Sequence, residues 1–326
     1  NYRTDGLGYH EFYELCEYLN TDAMYVTPTG MVCTGWVFQE GESDHYHHPA
    51  VDVDEYIQNA LDAIEYAIGP VTSKWGSQRA KNGHPEPFPL KYIEIGNEDF
   101  GPTYYEYYDK FYNAIHEKYP QLKIIANSII GNTPDRTDKR KRLPEFKDIS
   151  TVEIFDEHYY KDLQWVIDNY YKFDAYTRRE IDLFIGELGI RGPHPLDVLG
   201  ESVFMMSMER NADMDPMMAD RPLMRNWTFV EGRGNPLYYH TNTISFKSFN
   251  YYMSKLFRDK KIGTYYTSDH LVNEEKQPVS KESLFSTAGR DPETGELIIK
   301  IVNLTDSLRN TALEAPGNEI SGEATI

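Results

Sequence analysis

Two apolar segments of the sequence end in a glycine and a carboxylate. Tyr92–Ile95 is followed by Gly-Asn-Glu, which ends at Glu98, and Leu183–Ile185 is followed by Gly-Glu, which ends at Glu187. If both segments are parallel strands of one barrel, their carboxyl ends open at the same mouth, and the two glutamates face a common pocket. One proton-donating and one nucleophilic carboxylate are what glycosidic bond hydrolysis requires, and in the retaining form they stand about 5–5.5 Å apart.

A polar motif lies between these two segments in the chain, at Asp156-Glu157-His158-Tyr159-Tyr160. His158 and Tyr160 are two residues apart, so on a strand they share a face and can hydrogen-bond the nucleophile and a sugar. Asn97, directly before the first carboxylate, is predicted to bind a sugar hydroxyl. Each motif alone is also compatible with a loop or a helix cap, so the prediction depends on their combination.

The spacing of the apolar segments favours a barrel. Six short runs read as buried parallel strands, namely Ala23–Val26, Tyr92–Ile95, Lys123–Ala126, Glu153–Phe155, Leu183–Ile185 and Leu237–Tyr239. Helical periodicity lies between or beside them, at Leu7–Leu19, Val53–Ala67, Thr103–Tyr119, Asp162–Tyr176 and Ser245–Phe257. Ile93, Ile124, Ile154 and Phe184 follow one another at intervals of 31, 30 and 30 residues, and one βα unit of a barrel takes about 30.

The predicted fold class is therefore α/β, a (β/α)8 TIM barrel whose first strands are missing from this chain. A doubly wound sheet is the competing fold, but the G-x-G-x-x-G turn and the P-loop are both absent from the sequence. Leu237–Tyr239 is the best placement for strand eight. The segments 36–51 and 69–89 are predicted to be elaborated loops.

The composition changes after about Lys261. Leu284–Ala288 and Glu296–Asn303 have the alternation of antiparallel strands, and Asp-Pro-Glu-Thr-Gly at 291–295 is typical of the turn between them. We predict a catalytic barrel over residues 1–262, followed by a partial β-sandwich, jelly-roll-like, over residues 263–326.

The charge balance restricts the partners. The 326 residues include 33 basic and 52 acidic side chains, for a formal net charge of −19. Nucleic acid and anionic membranes carry like charge, so a neutral carbohydrate is the favoured partner. The chain lacks an apolar run near the ~18 residues that a membrane span needs. His45, His47 and His48 are interpreted as a solvated loop rather than a metal site, since no cysteine or compact carboxylate set accompanies them.

Taken together, five segments resemble the α-L-arabinofuranosidases of glycoside hydrolase family 51. They are Arg3–Gly8, Tyr92–Glu98, Asp156–Tyr160, Ile185–Glu187 and Gly289–Asn303. The resemblance implies a retaining hydrolase that removes terminal α-L-arabinofuranosyl residues from arabinan, arabinoxylan or related oligosaccharides. By position it implies that Glu98 is the acid/base and Glu187 the nucleophile. It further implies that Asn97, His158 and Tyr160 serve the sugar subsite, with His158 and Tyr160 also supporting the nucleophile. No metal or organic cofactor is needed on this reading, and homo-oligomers are possible.

The sequence also departs from that family. Family members have two barrel strands ahead of the Arg3–Gly8 segment, and an aromatic residue often stands where this chain has Leu188. Since an open barrel would leave two unpaired edges, we expect the chain to be part of a larger protein. Another retaining glycosidase of the same clan, an endoglucanase or β-xylosidase, and a catalytically dead carbohydrate-binding barrel stay open as alternatives. Two cysteines cannot form a disulfide framework, so localisation stays open as well.

Overall fold

Six parallel strands form the central sheet of this computed structural model. The structure describes residues 7–33, 47–49, 52–99, 101–127, 149–176, 178, 181–190, 195–214, 216–220, 222–229, 236–266, 271–272, 277–278 and 284–308. The helices are α1 (Tyr9–Tyr18), α2 (Val53–Ile68), α3 (Lys74–Lys81), α4 (Pro102–Lys118), α5 (Leu163–Asp168), α6 (Pro195–Arg210) and α7 (Phe249–Asp259). In the described ranges, no helix combines the length and apolar character needed to cross a membrane.

The strands are named in chain order. They are β1 (Ala23–Thr27), β2 (Met31–Cys33), β3 (His47–Pro49), β4 (Leu90–Ile95), β5 (Lys123–Ala126), β6 (Ile154–Lys161), β7 (Asp182–Ile190), β8 (Met217–Asp220), β9 (Met224–Asn226), β10 (Tyr238–His240), β11 (Ser245–Lys247), β12 (Thr264–Tyr266), β13 (Leu271–Val272), β14 (Gln277–Pro278), β15 (Leu284–Arg290) and β16 (Leu297–Asn303).

The strand order of the central sheet distinguishes the two candidate folds. Its order is β1-β4-β5-β6-β7-β8, and every neighbouring pair is parallel. Each parallel strand therefore lies beside the one that precedes it in the chain, and the order never reverses, as it would in a doubly wound sheet. This winding confirms the barrel prediction over its competitor.

The sixth strand of the sheet differs from the prediction. Leu237–Tyr239 was expected to be a barrel strand, but β10 lies in a separate three-stranded sheet between β11 and β9. The methionine-rich segment Met217–Asp220 pairs with β7 instead. Methionine lacks the β-branched or aromatic side chain by which a strand is usually predicted, whereas the tyrosines of β10 have it.

Helix boundaries differ from the predictions in three places. The segment 69–89, predicted to be a loop, contains α3, whose first turn is capped by the Ser73 hydroxyl accepting from Gly76 N at 3.1 Å. The helix predicted over 162–176 ends at Asp168 and is followed by a short 3-10 turn, and the one predicted over 245–257 begins only after β11. Much of the predicted loop 36–51 lies outside the described residues, including His45, and of His47 and His48 only the backbone is described, as part of β3.

The loop after α3 is held by one buried side chain. Arg79 is fully buried and donates to five backbone carbonyl oxygens at 2.7–3.1 Å. These acceptors belong to Tyr66, Ala67, Gly69, His84 and Pro85, so the guanidinium joins the end of α2 to the Gly- and Pro-containing segment ahead of β4. Because an Arg side chain carries five N–H donors, this arrangement uses all of them.

The faces of the central sheet explain the apolar runs of the sequence. On the outer face, Ile93, Ile95 and Ile124 pack against the aromatic side of α4. On the inner face, Ile125, Ile154 and Phe184 form a smaller cluster with partly buried neighbours. Since both faces are covered, apolar residues occur on both faces of these strands, as they do in buried parallel strands.

The C-terminal segment forms the antiparallel sheet β12-β15-β16. Its hairpin turn has Asp291 accepting from Glu293 N and Thr294 N, each at 2.8 Å, with Gly295 at φ 72°. The predicted strands and turn are thereby confirmed, and the domain boundary at 262/263 stays a prediction. Lys300 of β16 is buried and forms an ion pair with Glu209 of α6, which joins this sheet to the helical layer of the barrel.

Candidate active site

The turn after β4 places Glu98 at the carboxyl end of the central sheet. Gly96 has φ 85°, and a Cβ there would stand 2.5 Å from Asp99 Oδ2, so the position requires glycine. Glu98 itself has φ 57°, a left-handed conformation that is uncommon for residues other than glycine and clusters at functional sites. The buried Thr29 hydroxyl donates to Asp99 Oδ2 at 2.5 Å and so ties this turn to the segment after β1.

The side chains of β6 alternate between the two faces of the sheet. Asp156, His158 and Tyr160 point towards the barrel interior, where they meet groups from β4 and β7. Glu157 and Tyr159 point outwards, and the carboxylate of Glu157 accepts from the hydroxyls of Tyr159 and Tyr176. The strand therefore supplies three inward polar groups from the five-residue motif.

His158 lies between carboxylates on both sides. Its Nδ1 is 2.9 Å from Glu98 Oε1 and 4.0 Å from Glu187 Oε1, and its Nε2 is 2.6 Å from Asp156 Oδ2. Burial by itself lowers an imidazole pKa, but the hydrogen bonds to Asp156 and Glu98 and the nearby carboxylate charges outweigh it and raise the pKa of His158 to about 10. At neutral pH the ring is a cation that donates from both nitrogens.

Glu187 lies on β7, directly opposite His158 in the sheet register. The hydroxyl of Tyr160 donates to its Oε2. The register of β6 and β7 shifts between Asp156 and His158, and Gly186 lies at this irregularity. Its N–H donates to Asp156 Oδ1 at 2.6 Å, and a Cβ at Gly186 would stand only 2.5 Å from that same oxygen. The Gly-Glu pair of the sequence thus has a steric cause.

The structure brings four of the five predicted site residues together. Carboxylate oxygens of Glu98 and Glu187 and a ring nitrogen of His158 all lie within 4.8 Å of one another, and Tyr160 contacts Glu187. Glu98 and Glu187 are each 25% exposed, whereas His158 is 1% exposed, so a ligand can reach the two glutamates but not the histidine. The Asn97 side chain is exposed beside Glu98.

A second group of polar residues lies beneath these four, and the sequence prediction missed most of it. Asn127 follows β5 and donates from Nδ2 to Glu94 Oε1 at 2.5 Å and to Asp156 Oδ2 at 3.2 Å. Its backbone N–H donates to the hydroxyl of Tyr104 at 2.6 Å. Burial, the adjacent Asp156 charge and a hydrogen bond to Asp156 raise the pKa of Glu94 well above its usual value. Strand alternation offered a partial signal, because it places Glu94 on the face opposite Ile93 and Ile95, but it does not say which face is the interior.

These residues could also be considered as metal ligands. Glu94, Asp156 and His158 have potential ligand atoms within 4.8 Å of one another, as do Glu98, His158 and Glu187. However, both sets share His158, whose two nitrogens lie at hydrogen-bonding distance from Glu98 Oε1 and Asp156 Oδ2, at 2.9 Å and 2.6 Å. Hydrogen bonding therefore accounts for both sets.

Paired carboxylates at the ends of parallel barrel strands define a class of protein, the barrel glycoside hydrolases. Comparisons with known proteins agree with this class. The family model described as the α-L-arabinofuranosidase 1 domain matches residues 1–178. The chain therefore belongs to this α-L-arabinofuranosidase family.

Individual relatives are consistent with that family. The chain is 35% identical over 256 residues to an extracellular exo-α-L-arabinofuranosidase of Streptomyces chartreusis. This alignment covers 77% of this chain and 29% of the relative. It is also 35% identical over 228 residues to α-L-arabinofuranosidase 2 of Arabidopsis thaliana, in an alignment that covers 68% of this chain and 30% of the relative. An arabinose-bound α-L-arabinofuranosidase structure, MgGH51, superposes with a TM-score of 0.74 at 25% identity, over 94% of this chain and 47% of that one. The chain thus spans less than a third of the length of these two curated relatives.

Proposed function

We propose that this protein is a retaining glycoside hydrolase that releases terminal α-L-arabinofuranosyl residues, with Glu187 as the nucleophile and Glu98 as the acid/base. The separation of the two glutamates carries the proposal. One carboxylate oxygen of Glu98 lies within 4.8 Å of one of Glu187, which is compatible with the roughly 5–5.5 Å between the carboxyl groups of retaining enzymes.

In the first step, a carboxylate oxygen of Glu187 attacks the anomeric carbon while the bond to the leaving oxygen breaks. Glu98 gives its proton to that oxygen, so the leaving alcohol departs neutral and a glycosyl ester on Glu187 remains. Tyr160 donates to Glu187 Oε2 and thereby orients the nucleophile. The His158 cation, 2.9 Å from Glu98 Oε1, compensates the negative charge that Glu98 gains in this step.

In the second step, Glu98 takes a proton from water and the water oxygen attacks the anomeric carbon. The ester bond to Glu187 breaks, arabinose is released and both glutamates return to their starting state. One water is consumed in each turnover. We assign the sugar hydroxyl beside the anomeric carbon to Asn97, because its exposed side chain adjoins Glu98. No step in this scheme requires a metal or organic cofactor.

The substrates are proposed to be arabinan, arabinoxylan or their oligosaccharides. The two relatives described above are α-L-arabinofuranosidases, which favours this activity over the endoglucanase and β-xylosidase alternatives. Activity on 4-nitrophenyl α-L-arabinofuranoside should exceed activity on the β-xyloside and β-glucoside. Turnover of the β-xyloside alone would overturn the substrate assignment.

Two substitutions test the roles of the glutamates in the full protein. Glu187→Ala should lower kcat by several orders of magnitude, and added azide should restore turnover by forming a glycosyl azide of inverted configuration. The loss of kcat in Glu98→Ala should be far larger for substrates with poor leaving groups than for substrates with good ones. Glu157→Gln is the matched control, because this buried glutamate of β6 faces away from the pocket. Wild-type rates in both alanine variants would refute the site.

A further inference from the structure

Four polar side chains are enclosed beneath the two exposed glutamates. Glu94, Asn127, Asp156 and His158 are 4%, 0%, 0% and 1% exposed. Three of them are ionisable, and the ligand atoms of Glu94, Asp156 and His158 lie within 4.8 Å of one another. Two ionised carboxylates beside a single imidazolium in a dry interior would leave a net buried negative charge, which is costly.

Hydrogen bonding shows which carboxyl is the anion. Asp156 accepts from the Gly186 N–H, from Asn127 Nδ2 and from His158 Nε2. Three donors are typical of an ionised carboxylate. Glu94, within the described part of the chain, accepts one donor, from Asn127. A proton on Glu94 would therefore supply the remaining bond towards Asp156 and remove one negative charge from the interior.

The position of Asp156 determines the position of His158, and His158 touches Glu98. Asp156 Oδ2 lies 2.6 Å from Nε2 of the ring, and the opposite nitrogen lies 2.9 Å from Glu98 Oε1. A displacement of Asp156 would thus be passed through a rigid five-membered ring to Glu98. This chain of contacts is continuous from the barrel interior to the pocket.

We propose that Glu94 is a positioning residue that stays protonated and donates to Asp156, and so holds the Asp156–His158 pair in register with the acid/base Glu98. This inference rests on the proposed function of Glu98. It assigns a role to a buried carboxyl group that does not itself touch the sugar. A neutral hydrogen-bond donor, rather than charge or volume, is what the position requires.

Two substitutions of similar volume separate donation from packing. Glu94→Gln keeps a neutral donor towards Asp156, whereas Glu94→Met fills the space without one. We expect E94Q to keep kcat within about tenfold of wild type and E94M to lose about 10²-fold, since a small misplacement of a catalytic group costs that much. The E94M loss should be larger on an arabino-oligosaccharide than on 4-nitrophenyl α-L-arabinofuranoside, because the better leaving group needs less help from Glu98. Glu157→Gln should leave both rates unchanged.

Infrared difference spectra of wild type against E94Q test the proton without reference to activity. Wild type at neutral pH should show a protonated-carboxyl band that E94Q lacks. A missing band would overturn the proposal, and so would a folded E94M with wild-type kcat or an E94Q as impaired as E94M. If thermal unfolding shows that E94M is not folded, the kcat of E94Q and the infrared band still decide whether Glu94 is a protonated donor. Loss of the proposed function would instead appear as a wild type that does not cleave arabinofuranosides, and the infrared result would be unaffected.

Discussion

His158 Nε2 lies 2.6 Å from Asp156 Oδ2, and the two side chains are 1% and 0% exposed. The same ring reaches Glu98 through its other nitrogen. A surface ion pair would contribute little to stability, but removing one partner of a buried pair costs about 3–5 kcal/mol. The orientation of a pocket residue is thus coupled to the free energy of unfolding.

This coupling predicts a pH-dependent stability difference between wild type and His158→Gln. The pKa of His158 is raised to about 10 in the folded protein, against about 6.5 for an unperturbed histidine. A raised pKa contributes stability that is fully present below about pH 6.5 and is lost as the pH rises towards about 10. Urea unfolding over that range should therefore show the wild-type advantage over H158Q shrinking with pH. An advantage that grows with pH would contradict the assignment of His158 as a cation.

Gly186→Ala should damage both the fold and the proposed reaction. Its Cβ would stand 2.5 Å from Asp156 Oδ1, and overpacking of this kind costs about 1–3 kcal/mol. Because Asp156 would move, kcat should fall by about 10²-fold. Gly200→Ala is the control, since its nearest contact is the flexible end of Leu163 on the helical layer. Thermal unfolding and kcat of both variants check the prediction, which fails if G186A matches G200A.

Thr29→Val should loosen the turn that presents Glu98. The substitution keeps the shape of the side chain but removes the hydroxyl that donates to Asp99 at 2.5 Å. Loss of a buried donor to a carboxylate costs about 1–3 kcal/mol, and kcat should fall while KM changes less. Thr29→Ser retains the hydroxyl and should recover most of the rate. Equal rates for T29S and T29V would show that the hydrogen bond is irrelevant to the turn.

The ion pair between Lys300 and Glu209 predicts a non-additive double-mutant cycle. Burial raises the pKa of Glu209 and lowers that of Lys300, so each partner is costly without the other. Lys300→Met alone should destabilise the fold by about 3–5 kcal/mol, whereas K300M combined with E209M should recover most of that loss. Chemical unfolding measures the cycle. Simple additivity of the two single losses would contradict a coupled pair.

The sequence predicted the residues at strand ends better than those inside strands. Glu98 and Glu187 follow apolar runs directly, where a barrel opens, and their positions were therefore predictable. Glu94 lies within an apolar strand and could equally have faced solvent, because alternation alone does not say which face is the interior. Its role depends on Asn127 and Asp156, which reach it from two other strands, and a single sequence does not contain that proximity.

Local propensity also misplaced some elements. The tyrosines of β10 have a higher strand propensity than the methionines of β8, yet β8 joins the central sheet. Pairing with β7 decides that choice, and it is a long-range contact. For α3, in contrast, the Ser73 cap was a local signal, and the proline- and glycine-containing residues on either side obscured it.

The five carbonyl contacts of Arg79 bear on how this protein can be handled. Lys81, Gly83 and Pro85 compose a segment that protein engineers would choose for inserting a tag, and one that trypsin would be expected to cut. Here the backbone around that segment is bonded to a buried side chain. A cut or an insertion at this point would therefore disturb the hydrogen bonds by which Arg79 joins the end of α2 to the segment ahead of β4. That strand carries Glu94 and leads to Glu98. This exposed segment is therefore part of the connection between α2 and β4, and fusions are better placed elsewhere.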